Sequence, residues 1–376
     1  MSKMATNLVW LFCSKLIEWA FRKRGIARAL ITAGVSLIVL TAGVNLVGKA
    51  VYRDGARSID VSVSTTDAFP SWVYWGLLAL GLLLLLAGVG FAVSDAWRDA
   101  RAAHRGRVVV VEVRGLHSSP DSPLEKASIS APGVRQSVLV DFRPASEQEL
   151  VTPEAALEKI AGIKPALAAL SRGANSADVA VVLGGLAPVP TLVLIGAILD
   201  DESSVTVFDW DRSIGAWRET NQVDDGDRLA VVTASILDPG ATEAVLAVSA
   251  SYEIRLEDID TKFGPLPRMV LSSKPPLSAD RFWSLDKQAA YVIAIRDAMQ
   301  QLTAAGVKRI HLVLAAPSSL SIRVGMAYDR RLFAELVVYQ YERRCTPSYP
   351  WGILLPSSGN PSPSVVRRES LESGAR

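Results

Sequence analysis

Leu312-Val313-Leu314-Ala315-Ala316-Pro317, with Gly325 eight residues beyond the proline, restates Leu183-Gly184-Gly185-Leu186-Ala187-Pro188, with Gly196 at the same interval. Past each glycine the chain reaches an aromatic-x-aromatic-acid-Arg motif, Phe208-Asp209-Trp210-Asp211-Arg212 in the first copy and Tyr339-Gln340-Tyr341-Glu342-Arg343 in the second. Each copy reads as a βαβ unit. An apolar strand delivers the chain to a helix opened by proline, whose fixed φ suits a first turn, and a return strand completes a parallel pair. The glycine is expected to let the helix approach the sheet closely. An α/β fold with parallel sheets follows.

Outward from the repeat, Val108 to Val113 and Ser137 to Phe142 read as strands. Thr152-Pro153-Glu154 then opens a helix that keeps its spacing through Leu170 and stops at Gly173. A long helix runs from Arg281, Trp283 and Lys287 to Met299. Residues 357-376, rich in Ser, Pro, Gly and charge, are expected to be a disordered tail.

Upstream lie two uncharged apolar runs, within residues 27-47 and 71-93 of a region spanning 26-95. Roughly 20 helical residues cross the ~30 Å hydrocarbon layer, and the mean hydropathy of +0.25 is high for a soluble chain. Trp72, Tyr74 and Trp75 open the second run as an interfacial belt, with Trp97 past its end. Basic residues flank the outer ends: Lys15, Arg22, Lys23, Arg24 and Arg28 before the first, and Arg98, Arg101, Arg105 and Arg107 after the second. By the positive-inside rule both termini face the cytoplasm, and the loop Gly48 to Pro70 crosses to the other side. Residues 1-25 read as an interfacial amphipathic helix, a cleaved signal peptide being the competing reading.

The 40 Lys+Arg against 38 Asp+Glu leave +2, so no charge excess marks a nucleic-acid coat, and no DNA or RNA duplex is expected as partner. Cys13 and Cys345 stand far apart, and His104, His117 and His311 have no ligand spacing, so neither a disulfide framework nor a metal site is expected. GxSxG, P-loop and HExxH motifs are missing, and no catalytic residue is assigned.

Ile310 to Ser319, Val324-Gly325 and Val338-Tyr339-Gln340-Tyr341, taken with the first copy, resemble the SAVED domain, two fused CARF-like Rossmann-type modules. The resemblance spans about residues 107-356, with halves near 107-235 and 236-356, and the chain as a whole is similar to two-helix transmembrane SAVED effectors of CBASS antiphage systems. It implies a cytoplasmic sensor of a cyclic di- or trinucleotide made by a cognate nucleotidyltransferase, without further cofactor. Further implied are a multi-pass place in the bacterial inner membrane, ligand-induced homo-oligomerisation and disruption of the bilayer. An anchored sensor that recruits a partner and a ring-cleaving enzyme stay open as alternatives.

Such a ligand needs backbone N–H groups, cations and stacking surfaces, and parallel sheets bind beyond the carboxyl ends of their strands. The expected binding residues are therefore Gly184, Gly185, Ser318 and Ser319 in the two strand-to-helix loops, and Arg114 and His117 after the first strand. Lys274, Trp283 and Lys287 add charge or an aromatic face, Trp283 being equally readable as core and His117 as a solvated loop residue.

Overall fold

The computed structural model describes residues 25–43, 49–54, 57–62, 70–116, 122–146, 149–200, 205–234 and 240–367. Of residues 1–25, read as an amphipathic helix, 1–24 lie outside them. The described chain divides into two compact units, Met1–Ala102 and Ala103–Arg376.

In the first unit, α1 (Gly25–Gly43) and α2 (Ser71–Arg105) flank an antiparallel strand pair, β1 (Lys49–Asp54) and β2 (Arg57–Ser62). Alternating Val51, Ile59 and Val61 give the loop between the spans its strand character. Trp72–Arg98 is 27 residues of apolar helix, about 40 Å at 1.5 Å per residue, which is ample for a bilayer. It is the one helix among the described residues that meets both length and composition; the apolar part of α1, Ala27–Val39, is shorter, and residues 44–47 of the expected first span lie outside the description. Trp72, Trp75, Leu82, Leu83, Leu86 and Phe91 are exposed, as a lipid-facing surface requires.

α1 and α2 meet at glycines. A Cβ on Gly34 would stand 2.7 Å from Leu85 N, and one on Gly88 2.9 Å from Ile31 N, so neither helix tolerates a side chain there. Gly76 and Gly90 face open space. A Gly34→Leu variant is expected to open this hairpin and cost about 1–3 kcal/mol by overpacking, read as a lower unfolding midpoint in detergent. A Gly76→Leu variant should leave the midpoint unchanged.

In the second unit, one sheet has the order β4-β3-β5-β6-β7 and the other β14-β13-β12-β11-β9-β10-β8. The strands are β3 (Arg107–Arg114), β4 (Val134–Asp141), β5 (Val179–Leu186), β6 (Val205–Asp211) and β7 (Ala216–Glu219), then β8 (Ala230–Ala234), β9 (Glu243–Ser249), β10 (Arg268–Ser272), β11 (Arg309–Ala315), β12 (Glu335–Gln340), β13 (Trp351–Leu354) and β14 (Ser364–Val366). The parallel cores β4-β3-β5-β6 and β10-β9-β11-β12 have the same order, so the two halves are structural repeats. Helices α3 (Pro153–Ala161), α4 (Ile163–Leu170) and α5 (Val189–Ile198) belong to the first half; α6 (Leu256–Phe263), α7 (Leu285–Ala304) and α8 (Ser318–Met326) belong to the second. The sequence repeat maps onto β5-α5-β6 and β11-α8-β12. The strand β8 precedes residue 235 in sequence but pairs with β10 in the second sheet.

The repeated glycines serve contacts between helices, whereas the sequence suggested helix against sheet. A Cβ on Gly196 would lie 2.0 Å from Ile322 O, and one on Gly325 1.9 Å from Val193 O, so α5 and α8 cross with their backbones touching. Such a crossing needs hydrogen at both positions, because any side chain would hold the backbones apart. α5 is apolar on all sides because it fills the middle of the unit, and at ten residues it is too short to span a membrane. Leu192, Ile195, Leu320 and Ile322 join the two halves in one core.

The expected disordered tail is ordered through Arg367. Ser364-Val365-Val366 forms β14 on the edge of the second sheet, its β-branched pair supplying strand propensity, and Arg367 pairs with Glu154. Residues 368–376 lie outside the description.

Candidate ligand cavity at the strand ends

Parallel strands bring their carboxyl ends to one side of each sheet, and α5 and α8 begin there. Three adjoining cavities of about 580, 550 and 380 Å³ open in this region. The first and second share Val189, Tyr252 and Ala316, the first and third share Leu116, and the second and third share Gln340.

Each half's return strand caps the other half's helix. Ser319 N, in the first turn of α8, donates to Asp209 Oδ2 of β6 at 2.9 Å, and Val189 N, at the start of α5, donates to Gln340 Oε1 of β12 at 3.1 Å. Asp209 and Gln340 occupy the same place in the repeated motif, so one sequence position does one job twice. Burial pushes the Asp209 carboxyl above the usual range, against hydrogen bonds from Ser319 and from the amide of Trp210 and the charge of Arg212. The helix N-termini are therefore partly filled by the protein's own side chains, where the sequence suggested N–H groups free for phosphate.

The next residue in each motif faces a cavity. Trp210, set edge-on to Trp217 at 5.4 Å, lines the first, and Tyr341, edge-on to Tyr349 at 5.6 Å, lines the second. Tyr252, 59% exposed, borders both and offers a third ring. Cations sit at the mouths: exposed Arg212 in the first cavity, Arg255 in the second, held by Asp258, and exposed Arg344 in the third. Glu342, whose carboxyl burial raises, faces Arg344's cavity. Aromatic faces beside separated cations suit a ligand of flat rings joined by anions.

Of the expected binding residues, Trp283 and Ser318 line the first cavity. Trp283 is also largely buried, its ring covered by Arg218 at 5.0 Å. Ser319 lies directly below, fully buried, with its hydroxyl accepting from Gln288 Nε2 at 2.9 Å. The others go elsewhere. Gly184 and Gly185 are strand residues of β5, where a Cβ would meet Trp217 at 3.1 Å and Val113 at 2.7 Å, so they admit neighbouring side chains to the core. Arg114 pairs with Glu112 at 2.6 Å. Lys287, 1% exposed, is bound to Asp225 at 2.8 Å and Asp227 at 3.3 Å, and exposed Lys274 gives its amide to Asp227. Neither lysine lines these cavities. His117 lies outside the described residues.

Asp209, Trp210, Arg212, Gln340 and Tyr341 were all within the repeated motif, which the sequence reading used as a strand marker only. Strand alternation carries the signal for Asp209 and Gln340: with Phe208 and Tyr339 in the core, these immediate neighbours face the other way, whereas Trp210, Arg212 and Tyr341 share the parity of the core residues and reach the cavities at or beyond the strand ends. Tyr252, Arg255 and Arg344 carry no such local mark.

Residues 5–157 match the family described as the SAVED-fused 2TM effector domain, and residues 163–355, more than half of the chain, match the SMODS-associated and fused to various effectors sensor domain, SAVED. No curated protein matches. Among solved structures, the Acinetobacter baumannii Cap4 SAVED/CARF-domain containing receptor with the cyclic trinucleotide 2'3'3'-cAAA is 13% identical, with TM-score 0.45, covering 76% of this chain and 60% of that one. The Moraxella osloensis Cap4 receptor is 14% identical, with TM-score 0.41, covering 73% and 57%. The chain thus spans about three-fifths of the length of these receptors. With its duplicated half-sheets and more than half of its length matched, the chain belongs to the SAVED family, its sensor domain fused to a 2TM effector domain.

Proposed function

We propose that this chain is a CBASS antiphage effector: a cyclic di- or trinucleotide binds across the joined cavities, subunits assemble, and the helices breach the inner membrane. The observation that carries the reading is the repeated presentation of an aromatic ring, Trp210 and Tyr341, by equivalent strands into adjoining cavities, in a chain that also holds an apolar helix of membrane length. Bases stack on Trp210, Tyr341 and Tyr252, while Arg212, Arg255 and Arg344 meet phosphates. Both termini lie in the cytoplasm, where the nucleotide is made.

The ligand drives assembly only through its preference for the assembled state; a shift from 1:99 to 99:1 takes about 5.5 kcal/mol. A stacked base is worth about 1–3 kcal/mol, and it counts toward that shift only to the extent that the assembled state holds it better. The reading assigns the chain no chemical step and no cofactor.

Purified protein in dye-filled liposomes is expected to leak when its matching ring is added and to leave that ring intact. Ring consumption would make it an enzyme, binding without leakage would make it a recruiting anchor, and no binding to any ring would end the sensor reading. Trp210→Ala and Tyr341→Ala should each weaken binding about ten-fold or more, the cost of one lost stack, as measured by titration calorimetry.

A further inference from the structure

The repeat is not symmetric in its chemistry. At the position that caps the opposite helix, β6 carries a carboxylate, Asp209, and β12 a carboxamide, Gln340. Besides the Ser319 amide on Oδ2, Asp209 takes the Trp210 amide on Oδ1 at 2.8 Å. With the side-chain hydrogen bond of Ser319, three of its roughly four acceptor positions are thus used; burial raises the carboxyl, but all three donors favour its ionised form, which offers no donor. It is 9% exposed, and the first cavity it lines is walled by Trp210, Tyr252, Phe282 and Trp283. Gln340 keeps an amide as well as a carbonyl, its Nε2 donating to Tyr341 O at 3.0 Å, so it can satisfy donors and acceptors alike.

A largely buried acceptor with one position to spare is completed only by an N–H or O–H group, and an acceptor set against it leaves two lone pairs facing without a proton. Phosphate is the worst occupant, since like charges repel most where water is scarce. The phosphates therefore keep to the Arg212 side of the cavity, and the part of the ligand that reaches Asp209 is a base edge.

We infer that Asp209 selects the base: it accepts a hydrogen bond from the exocyclic amino group of an adenine, cytosine or guanine stacked in the first cavity, and rejects a base with a carbonyl oxygen there. Gln340 imposes no such choice in the second cavity, so the ring is read strictly at one position and loosely at the next. This inference rests on the cyclic-nucleotide reading above.

The test is titration calorimetry of the full-length protein in nanodiscs against cyclic tri-adenylate, the same ring with hypoxanthine for adenine, which exchanges the 6-amino group for a 6-oxo group and turns N1 from an acceptor into an N–H donor, and the same ring with unsubstituted purine, which removes the amino group alone. Wild type should prefer the amino ring by about 30-fold or more, the size expected when a site's hydrogen-bonding group is left unpaired. Asp209→Asn keeps an acceptor for one of the two amides, sets a donor NH2 in place of the other oxygen, and should bring the preference below about three-fold, mainly by improving the oxo ring. The same preference in wild type and Asp209→Asn, or none in wild type, overturns the inference while leaving the sensor reading standing. If rings of adenine, guanine, cytosine and uracil all fail to bind wild type, the sensor reading falls and takes this inference with it. Should Asp209→Asn not fold, the wild-type comparison of amino and oxo rings decides alone.

Discussion

A Gly325→Ala variant should lose about 3 kcal/mol of stability or more, unfolding at a clearly lower denaturant concentration than wild type in detergent, followed by tryptophan fluorescence. The added Cβ would stand 1.9 Å from Val193 O and 2.9 Å from Ala197 N, both backbone atoms of α5 with no rotamer to yield. Relief requires moving a whole helix by more than 1 Å inside a close-packed core, beyond the usual 1–3 kcal/mol range of overpacking. Gly196→Ala should behave alike, because its Cβ meets Ile322 O at 2.0 Å. Gly359→Ala, with nothing within 4 Å, should stay within about 0.5 kcal/mol of wild type. A wild-type midpoint for Gly325→Ala would mean that α5 and α8 do not cross as described.

Lys287→Met should cost about 3 kcal/mol near neutral pH. Lys287 is the buried cation of a cluster in which Asp227 also receives the hydroxyls of Ser273 at 2.5 Å and Tyr291 at 2.8 Å. Removing one partner of a buried pair strands the other, whereas the Asp225 arm, 39% exposed, is screened and contributes little. Burial alone would raise the Asp227 carboxyl, but the hydrogen bonds of Ser273, Tyr291, the Lys274 amide and Lys287 hold it well below the usual carboxylate range. A depressed folded-state pKa contributes stability above the unfolded value of about 3.9, and that contribution is lost as pH falls further toward the folded value. The gap between wild type and Lys287→Met should therefore be widest at pH 7 and narrow below about pH 4. An unchanged midpoint together with weakened ring binding would return Lys287 to the ligand site that the sequence suggested for it.

The architecture was legible because hydrophobic periodicity and proline placement are local. The Leu183 and Leu312 stretches became equivalent strand-helix units, as their spacing required, and the Leu77 to Leu86 run lies in a helix of membrane length. Within the site the reading was weaker. Glycines after an apolar strand resemble a phosphate loop, yet Gly184 and Gly185 remained in β5, because Trp217 and Val113 needed the space a side chain would fill. Lysines near a helix start resemble phosphate ligands, yet two aspartates from the connection between the halves claim Lys287.

The sequence alone determined that a repeated parallel α/β unit follows lipid-compatible helices, since strand, helix and span each announce themselves within 20 or so neighbouring residues. Tertiary structure alone decided which polar groups remain for a ligand. Asp209 meets Ser319 and Gln340 meets Val189 across separations of 110 and 151 residues, and whether a charge is spent on the fold or left for a partner depends on what packing brings beside it.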